Sequence, residues 1–171
     1  MVIPAGSYST EFDLAIFDDL EKDGLSRINI KAKADGFTDA ESEIKIFDNE
    51  VDHLDISEID SPQIIGKPIE VEVSASSVDG YFIRDYNEEF TISGSGENGE
   101  VNIKIQSENK ELQNEEISES ALISQGVWKG NIIIEDYDTN IVLNCYKDGS
   151  ILCTSNAFNV EYGNIDHLKV S

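Results

Sequence analysis

Long apolar runs are missing from this chain: no stretch approaches the roughly eighteen consecutive apolar residues of a membrane-crossing helix. Met1 is followed by VIPAG and not by a basic and then apolar leader. Direct membrane insertion is therefore not expected, while an origin as a piece of an exported protein stays open. Cations are scarce as well, with 12 Lys and Arg against 35 Asp and Glu, a net charge of −23. Such a field repels nucleic acid and anionic lipid, so neither is expected as a partner. Histidine occurs twice, at 53 and 167, which leaves almost no base to activate a Ser or Cys nucleophile. G-x-S-x-G, H-E-x-x-H and a phosphate-cradling loop before a helix are all absent. The chain does not read as an enzyme. Two cysteines are too few for a disulfide scaffold.

What is present is alternation of period two. SRINIKAKA (26–34), ESEIKIF (41–47), PIEVEVSAS (68–76), EEFTIS (88–93), EVNIKI (100–105), GVWKGNIIIE (126–135), NIVLNCY (140–146) and NAFNVEY (156–162) each place apolar or β-branched residues at every second position. That is the pattern of half-buried antiparallel strands. Turn residues separate them: KDG at 22–24, DG at 35–36, 79–80 and 148–149, and GSGENG at 94–99. Many short strands with such punctuation predict an all-β, antiparallel β-sandwich architecture. The acidic stretch 107–124 does not alternate and reads as a long surface loop.

A short phrase occurs twice. VDHLDIS (51–57) returns as IDHLKVS (165–171), an offset of 114 residues. Asp-His-Leu is identical and the alternation is matched, which is the signature of a repeated module. A shared position in a repeat also moves His53 and His167 from catalysis towards packing.

From residue 51 the chain resembles the tandem immunoglobulin-like β-sandwich repeats of bacterial and archaeal surface proteins. The resemblance is carried by DHLDIS, by Pro62, Gln63 and Gly66 in SPQIIGKPIEVEVSA, and by Tyr86 in VDGYFIRDYNEEFTIS. Trp128 in GVWKGNIII, then Ser155, Asn156, Phe158 and Val160 in SNAFNVEY, complete it. Residues 2–50 resemble the second half of a Calx-beta-like repeat, through VIPAGSYSTEFDLAIFDD, ADGFTDA and a last strand ending in DN. The resemblance departs around Asn87 and Glu88, where a Gly is usual, and lacks the early Calx-beta strands. It implies three segments: 1–50 as a partial β module, 51–164 as a complete immunoglobulin-like sandwich of the tandem kind, and 165–171 as the opening strand of a further repeat. It also implies a non-catalytic structural or adhesive role at a cell surface or outside the cell, with neighbouring modules of the same parent chain as partners. A glycan or protein ligand is a further expectation, and the alternative role is a carbohydrate-binding or accessory module of a secreted polysaccharide-degrading enzyme.

Three candidate sites follow. Asp18, Asp19 and Asp23 cluster in one loop, and Asp48, Glu50 and Asp52 cluster at the junction of the first two segments. Hard oxygen ligands gathered from loops are what Ca²⁺ selects, and an ion there would stiffen the joint; the other reading is a set of solvated acids. Asp18, Asp19 and Asp48 are the positions that the Calx-beta resemblance itself implies. Cys145 and Cys153 flank YKDGSIL. A three-residue loop would set them opposite each other and allow a disulfide, whereas a two-residue loop would offset them onto opposite faces. A Lys–Asn isopeptide bond needs a buried lysine, but Lys31, Lys45 and Lys104 fall on the polar side of their strands.

Overall fold

A computed structural model of the chain describes residues 2–107 and 120–163. Within them every regular element is a β-strand. The first two, β1 (Ser26–Ala32) and β2 (Ala40–Ile46), form an antiparallel ladder that places Ile28 opposite Ile44. Alternation gives this hairpin one apolar face, Ile28, Ile30, Ile44 and Ile46, and one polar face bridged by Arg27–Glu43 (2.6 Å) and Lys31–Glu41 (2.8 Å). Lys31 is thus a surface ion pair. No second sheet faces the apolar side among the described residues, so segment 2–50 has a hairpin and no core of its own. Every buried apolar side chain in the described residues lies between Leu54 and Val160.

Those side chains fill a β-sandwich. One sheet has the order β3-β5-β10-β8, from β3 (His53–Ile56), β5 (Pro68–Ser76), β10 (Val127–Ile134) and β8 (Ile103–Ser107). The other is built on β11 (Asp138–Lys147), which pairs with β6 (Glu89–Gly96) on one side and with β12 (Ser150–Thr154) and β13 (Phe158–Glu161) along its length. β6 also takes β7 (Gly99–Val101) and β9 (Ser120–Leu122), while β4 (Gln63–Ile64) pairs parallel to β13. All other pairings are antiparallel. In β5 the burial alternates from Pro68 to Ala75, with Ile69, Val71, Val73 and Ala75 inside. The sandwich expected from period-two alternation is therefore the observed architecture.

The structure corrects three details. The end of the presumed 107–124 loop is strand, because Ala121 and Ile123 turn inward while Leu122 turns out; residues 108–119, with Leu112 and Ile117, lie outside the described residues. EVNIKI is two strands, not one. At Asn102 the chain leaves the β6 edge for the β10 edge, anchored by its N–H and its side-chain amide, both donating to Asp136 Oδ2 (2.6 and 2.9 Å). Because both sheets face one core, Val101 and Ile105 stay buried and Ile103 packs against them across the switch. Finally, the glycine-rich 94–99 segment is mostly strand, with only Glu97 and Asn98 in the turn. Gly94 makes room there, since a Cβ would lie 2.6 Å from a Val101 methyl and one of the two would have to shift.

Trp128 is buried, edge-on to Phe90 at 5.8 Å between ring centroids, and Gly130 leaves the space its indole occupies. The Ser-Asn pair before β13 works as a latch. Ser155 accepts from Leu143 N–H (2.9 Å), while Asn156 accepts from Ile59 N–H (2.9 Å) and donates to Ile59 O (2.7 Å), mimicking a strand partner. Asn156→Ala removes both latch bonds, and a loss of about 2 kcal/mol is expected, a fall in melting temperature of roughly 5–10 °C in a thermal scan.

Candidate functional site

The junction of segment 2–50 with the sandwich gathers more of the suspected residues than any other place. Positive-φ Gly24 (φ 74°) is buried there because Val78 and Asp79 approach it too closely for a Cβ. Its N–H donates to Asp48 Oδ2 (2.9 Å), and the next N–H, of Leu25, donates to Asp79 Oδ2 (2.5 Å). Asp48 Oδ1 accepts from Glu50 N–H (2.9 Å), Lys22 lies 3.7 Å from Asp52, and Phe47 meets Tyr81 edge-on at 4.8 Å. One loop, one linker and one sandwich turn are thereby tied together.

The suspected calcium ligands divide accordingly. Asp48 and Glu50 come together, with Asp18 close enough to influence Glu50; Asp19 accepts from Glu21 N–H (2.9 Å), Asp23 is exposed, and Asp52 is shared between Lys22 and His53. Among the described residues no three of His, Cys, Asp and Glu converge as a metal-ligand group. The N–H groups of Glu50 and Gly24 hold the Asp48 carboxyl below the usual range, whereas contact with the Asp48 carboxyl pushes Glu50 up. The signs are opposite: Asp48 supports the fold above the ordinary aspartate range and ceases to as pH falls, while Glu50 opposes it as pH rises through its raised value. Glu50→Gln is expected to raise the melting temperature at pH 7, and the gain should vanish in scans run below the glutamate range.

Beside the joint lies a cavity of about 690 Å³, lined among others by Phe47, Phe82, Arg84, Asp85, Tyr86 and Lys147. Burial opposes the Lys147 charge, but Tyr86 and Glu88 outweigh it and raise the ammonium above its ordinary value. The nitrogen sits 5.3 Å from the Tyr86 ring centre and 3.4 Å from Glu88. This gives Tyr86 a structural occupation.

His53 stands between two acids. Its Nδ1 lies 3.2 Å from Asp52 and its Nε2 lies 3.6 Å from Asp55, so carboxylates face both nitrogens. Ser76 Oγ donates to Asp55 (2.5 Å). The second copy, with His167, lies outside the described residues.

Cys145 and Cys153 stand opposite each other, 5.1 Å between Cα atoms, and form a disulfide. The loop is the two-residue one, Asp148-Gly149, with both φ positive (51° and 80°) as a tight hairpin turn requires. Lys147 pairs with Ser150 and Tyr146 with Ile151, and a bulge then shifts the register by one residue so that the cysteines meet. The choice between loop lengths thus omitted the bulge. Lys104 is a surface ion pair with Glu135 (2.5 Å), away from isopeptide chemistry.

Asp138 is the residue that sequence reasoning passed over. Burial works against its charge, but N–H donors of Thr139 (2.8 Å) and Asn98 (3.0 Å), the Asn98 amide (2.8 Å) and Glu97 N–H hold it below the usual range. It organises the turn between β6 and β7. The one signal was an acid at the head of an apolar strand. No family model matches the chain, and no curated protein matches it in sequence.

Proposed function

We propose that the chain is a non-catalytic stretch of a large cell-surface or secreted repeat protein: the end of one β module, one complete immunoglobulin-like sandwich, and the opening phrase of the next. Its work is mechanical, as a spacer, adhesin stalk or surface-layer component. The observation that carries this reading is the joint, where Asp48 and Asp79 take the N–H groups of Gly24 and Leu25 and so fasten one unit to the next. The acidic surface keeps such a stalk soluble and self-repelling. A buried disulfide supports an oxidising compartment, and with it a place outside the cell. Calcium belongs to the same proposal: Asp18 and Asp48 both lie close enough to Glu50 to act on its charge, and an ion among such acids adds stiffness.

A second reading, a carbohydrate-binding accessory module, is favoured by the half-exposed rings of Phe47 and Phe82 in the joint cavity. Two measurements decide. A glycan array stays silent for a spacer, and selective retention of one glycan class moves the assignment to the second reading. Small-angle scattering reports one stiff particle whose melting temperature rises with Ca²⁺. Scattering from a freely hinged pair overturns the spacer, and a melting temperature indifferent to Ca²⁺ and chelator removes the ion.

A further inference from the structure

The exposed large apolar residues of the sandwich are not scattered. Val78, Tyr81 and Phe82 lie in the turn after β5, at the leading end where the chain comes in; Ile64, Tyr137 and Tyr162 lie at the trailing end where it goes out. Of the rest, Leu122 sits on β9 and Ile151 on β12. Between the two ends the outer positions of β5 carry Glu70, Glu72 and Ser74.

The leading end is already in use. Phe47 packs edge-on against Tyr81, and Gly24 is pressed against Val78 and Asp79. The trailing end has the same chemistry and no cover among the described residues. Tyr137 and Tyr162 stack face to face, 5.4 Å between centroids and 7° between planes, and remain 49% and 70% exposed. Ile64 adjoins them: it is paired with Glu161, and its turn is pinned by Gly66 N–H donating to Ile134 O (2.8 Å). Two tyrosines stacked on each other leave one outer ring face each, a surface suited to an apolar loop and not to a single sugar ring held between rings. The chain leaves the sandwich at Tyr162 itself, and two residues after Gly163 the phrase IDHLKVS begins. Its first copy, VDHLDIS, contains the edge strand β3 that follows the leading joint, with Leu54 buried.

We infer that the Ile64–Tyr137–Tyr162 patch is the docking face for the leading end of a following sandwich, whose turn of the Val78–Phe82 kind seats on the tyrosine stack as Tyr81 seats on Phe47. This rests on the reading of the chain as part of a tandem array, and it names which surface the next module takes.

The test extends the 171-residue chain with a second copy of residues 58–163, so that its own Ile165–Ser171 stand where Val51–Ser57 stand in the first sandwich. The added copy carries Tyr137→Phe and Tyr162→Phe, so that its peptides differ in mass from the original ones. The expected result is a second disulfide, doubled sandwich signal in circular dichroism, and a several-fold fall in hydroxyl-radical labelling of the original Tyr137 and Tyr162. Tyr137→Ser with Tyr162→Ser in the first sandwich is then expected to turn a stiff scattering particle into a hinged one. If the second sandwich forms but the labelling is unchanged, the docking inference is overturned while the tandem reading stands. If no second disulfide or strand signal appears, IDHLKVS does not open a module and both readings fall together.

Discussion

Phe158→Ala is expected to cost about 3–5 kcal/mol, lowering the melting temperature by roughly 15 °C or more. Phe158 is among the largest side chains wholly withdrawn from solvent, in β13 opposite Ile141. It sits where the two sheets close, between the Ser155–Asn156 latch and the parallel pairing of β4 with β13. Truncation leaves a cavity that a close-packed sandwich cannot fill without displacing both sheets. Chemical denaturation should show a lower midpoint with an unchanged slope, because the area exposed on unfolding hardly changes. A loss below about 1 kcal/mol would mean that the closing strand is not part of the cooperative core.

Removing the disulfide through Cys145→Ala with Cys153→Ala is expected to cost roughly 2–3 kcal/mol, the amount a short closed loop contributes by restricting the unfolded chain. The bridge spans eight residues across one hairpin, so most of its effect falls on β11 and β12 and little on the distant joint. Thermal scans of the double variant measure it. Thiol counting on the denatured, unreduced wild type should find no free thiol. Two free thiols would remove the bridge.

The strand ladder was legible because alternation survives wherever one face of a sheet meets the core. Eight alternating stretches correspond to strands, among them β5, β10 and β11 nearly end to end. β4 and β9 were not legible, since two or three residues are too few to establish a period, and β12 was implied only as the return strand of the hairpin that carries Cys153. The sheet switch at Asn102 left no trace in the pattern, because inward remains inward on either sheet. At the joint, composition pointed to Asp48 and Glu50, but their long-range partners were hidden. Asp79 looked like an ordinary Asp-Gly turn, and nothing local says that its carboxylate reaches Leu25 N–H. Asp138 was hidden for the same reason, its donors Asn98 and Glu97 being about forty positions away.

The parallel pair of β4 and β13 fixes how the sandwich bears tension. Force applied at the leading end reaches β4 within a few residues of β3, and force at the trailing end enters directly through β13. Pulled apart, these two strands slide along each other, and bonds such as Ile65 N–H to Glu161 O (2.9 Å) are loaded side by side and must fail together. A hairpin at the same place would unzip one bond at a time.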